Sequence, residues 1–245
     1  MSSNHKKIFV ISPIPVPSGV SLEEDVKRLS IVAGPDTEVI CKYIESAPES
    51  IEGKYEDSLA VPGTVEAAIQ AEKEGADAVV INCTADTALH ACRECLSIPV
   101  IAPTMVSYYL AAELAHSFSV LTFSRTTIVR FEEMAWRWGL WNKLKSVRSI
   151  EIPYLEINAG DAEFVEELFR IGQECVNLDG AHALIMGCTA FEIVSQFLRE
   201  RFKSEDMPVL IIEPYLAALR MAELMVSTGI NQSKLTYPLP EMLSI

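Results

Sequence analysis

The chain is expected to fold as an α/β protein of two similar lobes, each an open, mainly parallel sheet flanked by helices. Three observations carry this expectation. Short apolar runs alternate with helical stretches along nearly the whole sequence, the pattern of parallel βαβ units. The element AVVINCTA at 78–85 returns as ALIMGCTA at 183–190, as if one strand-and-turn unit had been built twice. The length of 245 residues suits two lobes of about 100–150 residues each.

The elements justify this in order. Lys7 to Ser12 is a β-branched run closed by prolines and reads as the first strand. Ser21 is placed to cap a helix running to Ala33, with Glu24 completing a capping box. Gly34-Pro35 ends that helix, and Thr37 to Tyr43 is a second strand. Residues 46–63 are turn-rich and acidic and read as a surface loop with room for a short helix. A helix from Thr64 to Glu74, closed by Gly75, leads to a buried strand from Ala78 to Asn82. Then follow a helix from Ala85 to Leu96, a strand from Pro99 to Ala102 and a helix from Ser107 to Ala115.

The second half repeats the alternation. Strand Ser117–Thr122 precedes a helix from Thr126 to Trp138 that stops at Gly139, and Ser149 to Ile157 is extended. Helix Asp161–Leu178, strand Ala183–Met186, helix Ala190–Lys203, strand Val209–Ile212 and helix Tyr215–Ser227 complete it. The expected division is 1–105 plus 213–245 for one lobe and 106–212 for the other. Open α/β sheets bind ligands at the carboxyl ends of their strands, and Cys83 and Cys188 both stand at such ends. An active-site cleft between the lobes would bring the two thiols to one molecule.

Composition narrows the partners. With 49% apolar and 22% charged residues the chain is an ordinary globular protein. A net charge of −14 argues against nucleic acid and anionic membrane surfaces, leaving a small molecule as the natural partner. No run of 18 apolar residues is present, so no transmembrane helix is expected. Basic residues precede an apolar stretch at the start, but Pro13, Pro15 and Pro17 interrupt it, which fits a strand and loop better than a signal peptide. Six cysteines without such a signal point to free thiols in the cytoplasm.

A lone cysteine after an apolar strand is usually packing. Two of them in matching Cys-Thr-Ala contexts, each expected to open a helix, point instead to chemistry. A helix N-terminus favours thiolate, and Thr84 and Thr189 are placed to cap the helices or to offer their N–H groups to a developing enolate oxygen. Two thiols on opposite faces of a carbon beside a carbonyl suit stereoinversion, one removing a proton and the other returning one. This chemistry requires no metal or organic cofactor. The pair Cys92–Cys95 forms a CxxC, but it lies well inside a helix with no second pair or histidines to complete a zinc site. It reads as packing, as do Cys41 and Cys175. The four histidines read as structural or surface residues, and Trp136, Trp138 and Trp141 as core or subunit contact.

The paired INCTAD and MGCTAF elements resemble those of the aspartate/glutamate racemase superfamily. The loop SIEGKYEDSLAVPG at 50–63, with GADAVVI at 75–81, SIPV at 97–100, SVLTFSRT at 119–126 and Ile212-Glu213-Pro214, is similar to its hydantoin and allantoin racemase branch. The resemblance covers nearly the whole chain in order. It implies that Cys83 and Cys188 are the catalytic pair and that Asn82, Thr84, Thr189 and Thr122 lie about the substrate. It also implies that Ser12 stands where relatives have an Asn-Pro-Asn-Thr motif, that Glu213 occupies an often acidic position, and that the protein is a homo-oligomer. The chain departs from the branch in reading Ser12-Pro13-Ile14-Pro15, without those asparagines, and Thr84-Ala85-Asp86-Thr87 where hydantoin racemases carry Phe-Gly-Asp-Pro. The expected activity is cofactor-independent racemisation or epimerisation of a hydantoin, allantoin or amino-acid-like molecule. The alternatives are a one-cysteine decarboxylase or cis–trans isomerase of the same superfamily, or a non-catalytic ligand-binding protein.

Overall fold

A computed structural model describes residues 5–18, 21–152 and 162–243. By internal contacts the chain divides into two units, Met1–Pro103 with Ala218–Ile245, and Thr104–Ala217.

The first unit holds a four-stranded parallel sheet in the order β2-β1-β3-β4. These strands are β1 (Lys6–Ser12), β2 (Thr37–Tyr43), β3 (Ala78–Ile81) and β4 (Val100–Ile101). The centres of its inner strands are apolar without alternation, because a parallel sheet covered on both faces leaves no polar side: Ile8 to Ile11 and Ala78 to Ile81 are fully buried. Helices α1 (Leu22–Ser30), α2 (Lys54–Lys73) and α3 (Leu89–Cys95) connect them.

The second unit repeats the plan. Its sheet runs β6-β5-β7-β8, again parallel, with β5 (Phe118–Thr122), β6 (Leu144–Ser149), β7 (Ala183–Met186) and β8 (Leu210–Ile212). The helices are α4 (Pro103–Leu114), α5 (Ile128–Arg137), α6 (Ala162–Asn177) and α7 (Glu192–Ser204), and α8 (Pro214–Thr228) starts in this unit but belongs from Ala218 onward to the first. Alternation along the strands divides the core in two. Leu121, Leu184 and Met186 pack with Phe164, Leu168 and Leu198 of α6 and α7. Val120, Ala183 and Ile185 pack on the opposite face with Tyr108, Phe131 and Met134 of α4 and α5. That is a three-layer α/β/α unit, and the α/β class and paired parallel sheets expected from the sequence are both present.

Local expectations fail where a single residue was read too literally. Ser21 is the N-cap residue of α1 but its side chain makes no capping bond. The stretch expected to be a loop to residue 63 is helical from Lys54, and Pro62 lies inside α2. There Glu56 accepts the Gly53 N–H at 2.9 Å, and Ala60, Thr64, Ala68 and Ala71 form one buried stripe of small side chains. The adjoining Gly63 permits close approach, since a Cβ there would stand 2.5 Å from Ile44 Cγ2. Burial of that stripe and the close contact outweigh the one backbone bond that proline removes. The extended stretch expected over 149–157 is instead a strand ending at Ser149, and residues 153–157 lie outside the described residues.

The carboxylate of Glu223 on α8 accepts from the Gly34 N–H (2.7 Å), the Thr37 hydroxyl (2.7 Å) and Arg220 (2.8 Å), tying helix to the start of β2. Burial raises its pKa, but these bonds outweigh it and hold the carboxyl below its ordinary value. Glu223→Ala removes the shared acceptor and is expected to lower stability by about 1–3 kcal/mol, seen as a lower urea midpoint at unchanged slope.

Candidate active site

The two sheets end their second inner strands in the same way. After β3, the Asn82 N–H continues the ladder to Ile11 O at 2.8 Å, and Cys83 follows. After β7, the Gly187 N–H reaches Leu121 O at 2.6 Å, and Cys188 follows. At Cys83 the sulfur accepts the N–H of Ala85 at 3.4 Å, and at Cys188 the sulfur accepts the N–H of Ala190, also at 3.4 Å. A backbone N–H aimed at sulfur is a donor that a thiolate can use.

The expected threonine caps are absent. Cys188 itself caps a 3-10 turn (Thr189–Phe191) ahead of α7, whose own N-cap is Phe191 without a side-chain cap. Nor does Cys83 open a helix: α3 begins only at Leu89 and is capped by Ala88. Residues 84–88 form a turn instead, with Asp86 at φ 53° and Ala88 at φ 60°, a left-handed conformation that non-glycine side chains rarely adopt. The turn is pinned by Asp86 N–H to Cys83 O at 3.0 Å and by the Thr87 hydroxyl to Asp57 at 2.6 Å. What serves the sulfur at both sites is a local N–H two residues on, and at Cys188 alone the turn continues directly into a long helix, α7.

The other expected site residues gather at the same edges. In the first unit Ser12 ends β1, is buried, and its Oγ accepts from Asn82 Nδ2 at 3.2 Å. Thr84 is buried beside Cys83, whose side chain packs on Ile51, Ala60 and Ala85. In the second unit Thr122 ends β5 and is fully buried. Its hydroxyl lies 2.6 Å from Thr127 Oγ1, which donates to Ser124 O at 2.7 Å, so Thr122 donates to Thr127. Glu213 follows β8, the neighbour of β7. Its two carboxylate oxygens accept the N–H groups of Tyr215 (2.7 Å) and Leu216 (2.6 Å) at the start of α8. Thr189 is half-buried directly after Cys188.

A model of the Asp/Glu/Hydantoin racemase family matches residues 8–222. The chain belongs to that family. A hydantoin racemase of Pseudomonas sp. (strain NS671) is 32% identical over 207 residues, spanning 84% of this chain and 81% of the relative. Among solved structures, an allantoin racemase from Klebsiella pneumoniae matches with a TM-score of 0.86 at 25% identity, covering 96% of this chain and 94% of its own. One from Pseudomonas fluorescens gives 0.85 at 26% identity, covering 96% and 97%. Family membership makes the chain an isomerase, a racemase by class.

Within this racemase the six cysteines are all free. Burial pushes the thiols of Cys41 and Cys92 up to about 12 and that of Cys175 up to about 11, and it raises Cys95 as well. Such thiols stay protonated at neutral pH, which removes the CxxC from consideration. His90 packs against Tyr237 with ring centroids 5.8 Å apart. Trp138 lies against the second unit's core, whereas Trp136 and Trp141 stack on each other at the surface. Among the described residues no helix is long and apolar enough to cross a membrane.

Sequence reasoning missed what the residue before each cysteine does. A Cβ at Gly187 would stand 2.7 Å from Leu121 O and 2.9 Å from Thr122 Cβ, so β7 reaches β5 only with glycine there. The available signal was the Asn-to-Gly difference between two elements whose other positions are identical or exchange one apolar residue for another. Gly187→Ala is expected to cost about 1–3 kcal/mol of stability by urea titration and to lower turnover by displacing Cys188.

Burial pushes Glu213 up to about 7 against the pull of its two N–H bonds, with Glu192 adding to the rise. Between its ordinary value and about 7 the folded chain holds a proton that the unfolded chain has released, so stability falls as pH rises through that window. Glu213→Gln removes this dependence. The stability of the unsubstituted protein relative to Glu213→Gln is therefore expected to decline from pH 4.5 to 7.5 and then level off, measured by urea midpoints across pH.

Proposed function

We propose that this enzyme racemises a small molecule of the hydantoin or allantoin type by a two-cysteine proton transfer at the carbon beside a carbonyl. The observation that carries the reading is the repeated strand end: equivalent strands in two equivalent sheets each present a cysteine whose sulfur accepts the N–H two residues on. The hydantoin and allantoin racemases among its relatives support the substrate type.

In this mechanism one cysteine, as thiolate, takes the C–H proton and becomes a thiol, while the electron pair moves onto the carbonyl oxygen as an enolate. The other cysteine, as thiol, gives its proton to the opposite face and becomes the thiolate. One turnover inverts the centre and exchanges the protonation states of Cys83 and Cys188, so the same pair serves both enantiomers. The N–H groups of Thr84 and Thr189 are the proposed donors to the enolate oxygen, and Ser12, Asn82, Thr122 and Glu213 the other proposed substrate-side residues. Six free cysteines fit a reducing compartment, the cytoplasm.

Incubation of one enantiomer of a 5-substituted hydantoin in deuterium oxide is expected to give racemate labelled at the stereocentre. Cys83→Ser and Cys188→Ser should each lower inversion by about a hundredfold or more. Each variant should still exchange the proton of the single enantiomer whose base it retains. Full inversion by either variant would replace this mechanism with a one-cysteine reaction.

A further inference from the structure

Asn82 holds a place in the first sheet that its counterpart cannot hold in the second. Both Asn82 and Gly187 close the ladder with a backbone bond to the strand beside them, at Ile11 O and Leu121 O. At Gly187 there is no space for a side chain. At Asn82 a full carboxamide is accommodated, and its Nδ2 donates to the buried Ser12 hydroxyl at 3.2 Å. That bond orients the amide and leaves its other end defined. Oδ1 is shut off from solvent and accepts no hydrogen bond among the described residues.

A buried amide oxygen without a donor is rare, because its desolvation is not recovered. This one lies at the carboxyl edge of a parallel sheet, where such folds bind ligands, and next to Cys83 in the chain. We propose that Asn82 Oδ1 accepts a neutral N–H of the substrate, the one on the reacting carbon, and so selects cyclic ureides over amino acids. The chemistry of the acceptor sets the class. A neutral carboxamide suits a neutral ring N–H, whereas an ammonium group is held better by a carboxylate. A hydantoin carries such an N–H at ring position 1, bonded directly to the stereocentre. The Ser12 hydroxyl acts through Asn82 as a positioning residue.

The inference rests on the racemase reading, and the experiment separates the two. Deuterium exchange at the stereocentre is followed for 5-benzylhydantoin, its N1-methyl derivative and its N3-methyl derivative, with the unsubstituted enzyme and with Asn82→Leu. The enzyme is expected to prefer the N1–H compound over the N1-methyl compound by about tenfold or more in kcat/KM, with N3-methylation serving as the control for added bulk. Asn82→Leu should lose about tenfold on the N1–H compound, little on the N1-methyl compound, and most of the preference between them. Retention of the preference by Asn82→Leu, or equal rates on the two compounds with the unsubstituted enzyme, overturns the role of Asn82 and leaves the racemase reading intact. Exchange of amino acids but of no hydantoin also overturns it while sparing the two-cysteine mechanism. No exchange with any compound removes both. Should Asn82→Leu not fold, Asn82→Ala provides the same comparison.

Discussion

A parallel strand that stops in the middle of a sheet leaves backbone donors beyond the last rung that no neighbouring strand can pair. In this protein the two sheets stop at a cysteine, and the sulfur accepts the N–H of an alanine two residues on, at Cys83 and again at Cys188. The rest of the site is arranged around that requirement. The chain must turn tightly after each cysteine, small residues must stand where the turn closes, and the neighbouring strand must come close enough to hold the strand end still.

The two units meet the requirement by different means. The second runs through a 3-10 turn directly into α7, and glycine at 187 lets β7 lie against β5. The first delays its helix to Leu89 and accepts left-handed backbone at Asp86 and Ala88, held by Thr87 and Asp57. Duplicated topology has thus kept the sulfur geometry while the surroundings diverged.

Desolvation acts on four of the six thiols. Cys41, Cys92, Cys95 and Cys175 sit where desolvation raises the thiol and keeps it protonated, so a chain with six cysteines offers few that can act as bases. Glu213 shows a balance of the same forces in a carboxyl. Burial lifts it to about 7 although two backbone N–H groups of α8 bind its oxygens.

The sequence by itself determined the class of fold, most strand positions and the matching strand ends at Cys83 and Cys188, because apolar runs of strand length and a repeated Cys-Thr-Ala are local signals. The strand Ala183–Met186 was legible residue for residue, and Thr37–Tyr43 likewise. What the tertiary structure decided was everything set by neighbours distant in the chain. Pro62 stands inside a helix because burying a stripe of small side chains outweighs one missing hydrogen bond. Ser12 and Asn82 pair because β1 and β3 lie side by side in the sheet, a contact no local pattern announces. Gly187 is required because Leu121 O occupies the space a side chain would need, and that oxygen comes from a strand more than sixty residues earlier.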